Sequence, residues 1–173
     1  YQSARDRADK HAKAFEPTML SVPEGAKVFK FKEAKTYKLD FLPYKVRKGA
    51  DEPGGNPYCD KGFLHYERTF YVNNLPTADG VRRYLSLSKT FRKADPVNDE
   101  ALRLRRAGRT ELADGLAKVT EMQLFNIVDL DDKKAGIQLF PFNWFQLGKV
   151  LDAKAKAKER YNTFFSLKGG YTV

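Results

Sequence analysis

The stretch that most limits what this chain can become runs over residues 63–91, FLHYERTFYVNNLPTADGVRRYLSLSKTF. Two runs rich in aromatic and β-branched residues flank the polar segment Asn73-Asn74-Leu75-Pro76-Thr77-Ala78-Asp79-Gly80, which predicts a β-hairpin with residues 73–80 as its turn. Basic and aromatic side chains interleave on both strands: Tyr66, Arg68, Phe70 and Tyr71 going in, then Arg82, Arg83, Tyr84, Lys89 and Phe91 coming out. A phosphate attracts a cation and an unpaired base stacks on a flat apolar ring, so a strand bearing both can hold a nucleic acid. The same residues also fit an ordinary hairpin whose rings fill a core while its arginines reach water.

Composition narrows the setting. At 173 residues, 42% hydrophobic and 13% aromatic, the chain fits one folded domain that needs neither disulfide nor metal to build a core. A formal charge of +10 points to a polyanionic partner, and nucleic acid, acidic protein and membrane surface all satisfy it. No apolar run approaches the roughly 18 residues needed to span a bilayer, and no secretory apolar region is present, so no membrane partner is expected. Cys59 is the single cysteine, which excludes an intramolecular disulfide and suits a reducing compartment. The chain begins at Tyr1 and ends in strand-like residues at Val173, which reads as a trimmed chain without its native tail.

In chain order, residues 1–15 form an arm with a weak helical stripe at Ala4, Ala8, Ala12 and Phe15, and residues 16–173 form the core. Between Lys27 and Lys48 eight basic residues face two acidic ones, with Phe29, Phe31, Tyr37, Phe41 and Tyr44 between them. Alternation at Tyr37, Leu39 and Phe41 predicts a strand with that face buried, until Pro43 disturbs it. Residues 49–62 are rich in Gly, Pro, Asp and Asn and read as a long loop able to close over a groove. A helical insertion follows at about 97–120, with Asp99 and Glu100 at its start and Thr110 with Glu111 capping a second helix. Residues 123–130 (QLFNIVDL) suit a central strand, 131–136 a turn and 137–142 a returning partner. Asn143 caps a late helix over about 143–160, with Trp144 as a core anchor, and residues 164–171 read as a closing strand pair. The sum is a mainly β protein with helical insertions (α+β), expected to be an OB-fold-like Greek-key barrel with an arm and a helical lobe.

Motifs for catalysis are sparse. There is no P-loop, GxGxxG, HExxH or GxSxG pattern, and His11, His65 and Cys59 cannot supply a zinc set by themselves. Asp129, Asp131 and Asp132 could hold Mg²⁺, but a turn led by Asp is the simpler account. His65 and Glu67 stand at i and i+2 as a conceivable acid/base pair, against the plainer reading of a solvated strand face. No enzyme, cofactor or metal is expected.

Three blocks, Phe41-Leu42-Pro43-Tyr44, the run LHYERT from Leu64 to Thr69, and QLFNIVDL from Gln123 to Leu130, resemble the single-stranded DNA-binding (helix-destabilising) proteins of tailed bacteriophages. The resemblance spans about residues 15–173. It implies an OB-fold core that coats single-stranded DNA during DNA replication and recombination in the cytoplasm of an infected bacterial host. It also implies an arm for self-association along the strand and an acidic C-terminal tail, missing here, that recruits replication proteins. One departure stands out. Zinc-binding members carry CPxC after the basic exit of the hairpin, where this chain has Asp95-Pro96-Val97-Asn98, so the lobe is expected to hold by apolar packing without metal.

Carried over residue by residue, the resemblance favours as DNA-binding residues Tyr66 and Arg68 on the first strand, with Tyr84, Lys89, Phe91, Arg92 and Lys93 on the second and its exit; the interleaving of basic and aromatic side chains on the hairpin adds Tyr71, Arg82 and Arg83. Tyr44, Lys45, Arg47 and Lys48 should form an adjacent wall, and Phe140 and Phe142 an aromatic contribution from the returning strand. Strand parity pulls the other way for two of them: Leu85 and Leu87 facing the core would turn Lys89 and Phe91 inward unless the strand bulges. The leading expectation is a sequence-tolerant, non-enzymatic binder of single-stranded DNA; the alternative is a general nucleic-acid binder that also holds duplex DNA or RNA.

Overall fold

The computed structural model describes residues 22, 24–78, 80–168, 170 and 172; the expected arm at 1–15 lies outside them. Strands run in the order β1 (Lys27–Val28), β2 (Leu39–Leu42), β3 (Tyr44–Lys45), β4 (Leu64–His65), β5 (Glu67–Thr77), β6 (Gly80–Leu85), β7 (Val119–Asp129) and β8 (Ile137–Asn143). Helices α1 (Leu87–Phe91), α2 (Pro96–Arg106) and α3 (Thr110–Ala117) lie between β6 and β7, and α4 (Lys149–Ala157) follows β8.

Strand β7 is the spine. Its buried residues lie on both faces, Met122 on one and Gln123, Phe125 and Ile127 on the other, as a strand covered on both sides requires. One edge takes β5 over residues 119–125 and then β2 over 126–129, while the other takes β8 over 122–128, all antiparallel. A short parallel strand, β1, joins β8, and β6 joins β5. The result is a mixed α+β architecture whose sheet curls into a half-barrel. β3 and β4 form a separate two-stranded ribbon.

The main core is aromatic. Phe29, Leu39, Phe41, Phe125, Ile127, Phe140, Leu151 and Phe164 are buried together, with Tyr37, Tyr66, Phe142, Leu147 and Phe165 packed around them. Edge-to-face pairs such as Phe29 with Phe140 (5.2 Å) and Phe41 with Phe125 (5.1 Å) suit the ring quadrupoles. Phe70, Val72 and Met122 form a smaller cluster with Leu85 and Leu124.

Several expectations change. The hairpin turn is far tighter than residues 73–80: β5 continues through Pro76 and Thr77, and the strands meet at Thr77 and Gly80. The two asparagines read as turn formers lie in β5 instead, one bonded to β7 and the other to α3. Asn74 donates to Thr120 Oγ1 (2.7 Å), Asn73 donates to the Leu116 carbonyl (3.1 Å), and Gly80, at φ 121°, provides the reversal. The outgoing strand stops at Leu85, because Ser86 caps α1 by accepting from the Lys89 amide, so Lys89 and Phe91 are helical and the parity conflict dissolves. α2 starts at Pro96 with Asp95 as its cap, earlier than Asp99, and Thr110 provides no cap to α3. Asn143 does cap, accepting from the Phe145 amide at 2.8 Å, but the first turn, Trp144–Gly148, is a π turn that runs into α4. A Cβ on Gly148 would collide with the Gln123 side chain. The expected closing strands at 164–171 are turns among the described residues. Phe164 and the adjacent Phe165 both pack on the core, which an extended strand would forbid by sending them to opposite faces.

Candidate functional site

A cleft of about 690 Å³ opens between the ribbon, the 49–62 loop, the start of β5 and the end of α1. Its lining includes the cations Lys45, Arg47, Lys48, Arg68 and Lys93, the rings of Tyr44 and Phe91, and no carboxylate. Like charges gathered around a concave surface focus potential towards an incoming anion.

Each wall has a local cause. Val46 is buried (2% exposed) and its backbone bonds to Phe63 O and Gly62 N, so alternation turns Lys45 and Arg47 outward. Arg68 points out between the buried Glu67 and Thr69 for the same reason. At the floor, Tyr44 Oη donates to the Glu67 carbonyl (3.0 Å), and Asn56 Nδ2 donates to the same carbonyl (3.0 Å) and to Tyr44 Oη (2.8 Å). Burial pushes the Tyr44 hydroxyl pKa up, against the downward pull of Asn56 and Arg68, so the group stays a neutral donor. Thr90 fastens α1 to β5, with its Oγ1 accepting from the Tyr71 amide (3.0 Å) and lying 3.3 Å from the Tyr71 carbonyl. α1 ends in Phe91, Arg92 is left-handed (φ 53°), and Lys93 sits 6.0 Å from the Phe91 ring centre.

Tyr44, Lys45, Arg47, Lys48, Arg68, Phe91 and Lys93, named from sequence in separate places, thus share one cleft. The rest of the predicted set lies elsewhere. Arg92 donates to the carbonyls of Ala50 and Asp51 (both 2.9 Å) and holds the loop. Tyr66 is a core residue: its ring packs on Phe165 (5.0 Å) and Phe164 (4.8 Å), and its hydroxyl donates to Asp152 (3.3 Å). Burial, then the charges of Glu67 and Asp152, push its pKa strongly up. Phe140 is 2% exposed, and Phe142 packs against it and Phe31. Tyr71 pairs across the ladder with Glu121, which accepts from Tyr58 Oη at 3.3 Å; burial raises the Glu121 pKa. Arg82, Arg83 and Tyr84 lie on β6 and Lys89 on α1, outside the cleft lining.

Sequence reading missed Gly54 and Asn56. Asn56 is 3% exposed and ties the loop to the floor; its only signal was its place in a Gly-Gly-Asn-Pro loop, a pattern that fits any turn.

Two of the candidate carboxylates, Asp129 and Glu67, have hydrogen-bond partners within the fold. Asp129 Oδ1 accepts from the Asp131 amide (3.0 Å), the Asp-led turn expected of that cluster. Glu67 is buried, not on a solvated face: Gln123 Nε2 donates to it, and His65 Nε2 stands 3.9 Å away. Among the described residues no group of three or more His, Cys, Asp or Glu is placed to hold a metal ion, and no helix is long and apolar enough to cross a membrane. Asp95 caps α2 and accepts from Ser86 Oγ (3.1 Å), Ser88 N (3.1 Å) and Ser88 Oγ (3.0 Å).

Set against models of protein families, curated proteins and solved structures, the chain matches none.

Proposed function

We propose that the protein binds single-stranded DNA with little sequence preference, through the cleft, as a non-enzymatic coating protein of phage replication and recombination. The observation that carries this reading is the lining itself: five cations and two aromatic rings with no carboxylate among them. Cations without competing acids suit a phosphate backbone, and the rings of Tyr44 and Phe91 suit unpaired bases. The half-barrel is compatible with an OB-like barrel, a form that commonly presents a groove to oligonucleotides, and the block resemblance to the phage helix-destabilising proteins supports the same reading. Host cytoplasm, self-association along the strand and recruitment through an acidic tail follow from that resemblance and belong to the proposal.

A second reading has its own observation. Tyr66 and Phe140 are packed in the core, so the cleft has fewer rings than cations, and cations hold duplex or RNA as readily as single strands. Competition among poly-dT, an equal length of duplex and RNA at one fixed salt concentration separates the two. Poly-dT should win. Phe91→Ala should cost about 1–3 kcal/mol of single-strand affinity and spare duplex binding; equal loss on both substrates would favour the general binder, and binding to none would reject both.

A further inference from the structure

We propose that residues 50–54 form a strap that fills the cleft's own subsites with backbone, that a ligand binds by displacing it, and that Arg92 sets how firmly it is held. The proposal rests on reading the cleft as a polyanion site. Three basic side chains donate to carbonyls of this one segment: Arg92 to Ala50 and Asp51 (2.9 Å each), Lys48 to Pro53 (3.3 Å) and Arg68 to Gly54 (3.1 Å). Arg68 and Lys48 are the cations a phosphate would use. A charged phosphate oxygen is a stronger acceptor than a neutral carbonyl, so it competes for them on favourable terms.

The strap also covers the ring. Gly54, at φ +73°, lies so close to Phe91 that a Cβ there would fall 2.7 Å from Phe91 Cδ1. A base cannot stack on that face of Phe91 until Gly54 leaves. The segment is bonded to itself, from the Glu52 amide to Gly49 O (3.1 Å), the Gly55 amide to Glu52 O (2.9 Å) and the Gly49 amide to Glu52 Oε1 (3.2 Å), so it can lift as a unit. Asn56 fixes its far end to the floor. Arg92 takes the left-handed conformation that closes α1, its amide donating to Ser88 O (2.9 Å), and its guanidinium is spent on the strap. It is a positioning residue and not a phosphate ligand.

Two variants loosen the strap by different routes. Arg92→Lys keeps the charge but cannot fork to two carbonyls; Gly54→Ala changes no charge and puts a methyl against Phe91 only while the strap is seated. Parent and both variants, each shown folded by its melting curve, should be titrated calorimetrically with (dT)12 and with inorganic tripolyphosphate. A strap closed in about 90% of molecules lowers apparent affinity about tenfold. Both variants should therefore bind both probes more tightly, by up to about tenfold, and the Asn56 amide, which donates to Lys48 O, should exchange faster with solvent. Unchanged or weaker binding in both variants, with (dT)12 still bound by the parent, overturns the strap and leaves the DNA reading standing. Tighter tripolyphosphate binding with no (dT)12 bound by any of the three proteins supports the strap and rejects the DNA reading. No binding of either probe by any of them overturns both.

Discussion

Tyr66 and Arg68 stand two residues apart in one run and have opposite fates. β5 begins between them, so Arg68 leans out into the cleft while Tyr66, just before the strand, is folded under Phe164 and Phe165. Its hydroxyl shares Asp152 with Trp144 Nε1, which donates to the other carboxylate oxygen at 3.3 Å. Tyr66→Phe should leave oligonucleotide affinity at the parent level, and Tyr66→Ala should lose about 3 kcal/mol or more of unfolding free energy by urea titration, because the cavity opens among packed rings. A folded Tyr66→Phe protein with weakened single-strand binding would return Tyr66 to the interface. At this scale the sequence announced residue types well and directions poorly. Tyr44, Tyr66 and Phe140 all belong to aromatic-rich surroundings, and only packing separates the ring that lines a cleft from those that fill a core.

Among the elements, the junction of α1 and α2 has the most definite chemistry. Asp95 caps α2 and at the same time gathers both serines of the α1 cap. Burial works to raise its carboxyl pKa, but the hydrogen bonds from Ser88, Ser86 and Val97 outweigh that and hold it below the usual carboxylate range. A carboxylate whose folded pKa is depressed contributes stability in full above its unfolded value, about 3.9, and loses it as pH falls through the lower folded value. The parent should thus lose more unfolding free energy between neutral pH and about pH 3 than Asp95→Asn, which cannot titrate. Asp95→Ala should cost about 1–2 kcal/mol at pH 7. Equal acid sensitivity of parent and Asp95→Asn would show that another carboxylate governs that window. The long elements were legible: β7, β8, the two insertion helices and the late helix follow from apolar period and turn chemistry. Ends were not. Ser86 reads equally as a strand residue and as a cap, and only the Asp95 carboxylate nine residues on decides between them.

For the molecule as a whole, the cleft is assembled from four separated stretches, around Tyr44, Asn56, Arg68 and Phe91, and no local pattern could announce that meeting. The formal charge of +10 was visible from the start; its concentration into a lining without acids was not. That concentration has a measurable signature. Each phosphate held on a single strand contributes roughly −0.7 to the slope of log K against log salt, so Lys45→Ala should flatten the slope by about 0.7, while Phe91→Ala should lower affinity and leave the slope in place. A slope unchanged by Lys45→Ala would remove that lysine from the phosphate path.

The shared edge of β7 bears on how the protein comes into being. Its partners β2 and β5 precede it in the chain and β8 follows it, while Leu151 and Phe164 of the same core arrive later still. On a ribosome adding about 5–20 residues per second, the nascent chain must carry Phe41 without its ring neighbour Phe164 until more than 120 further residues have been added. Such a core does not mature piece by piece: it becomes whole only after Leu151 and Phe164 have followed the sheet.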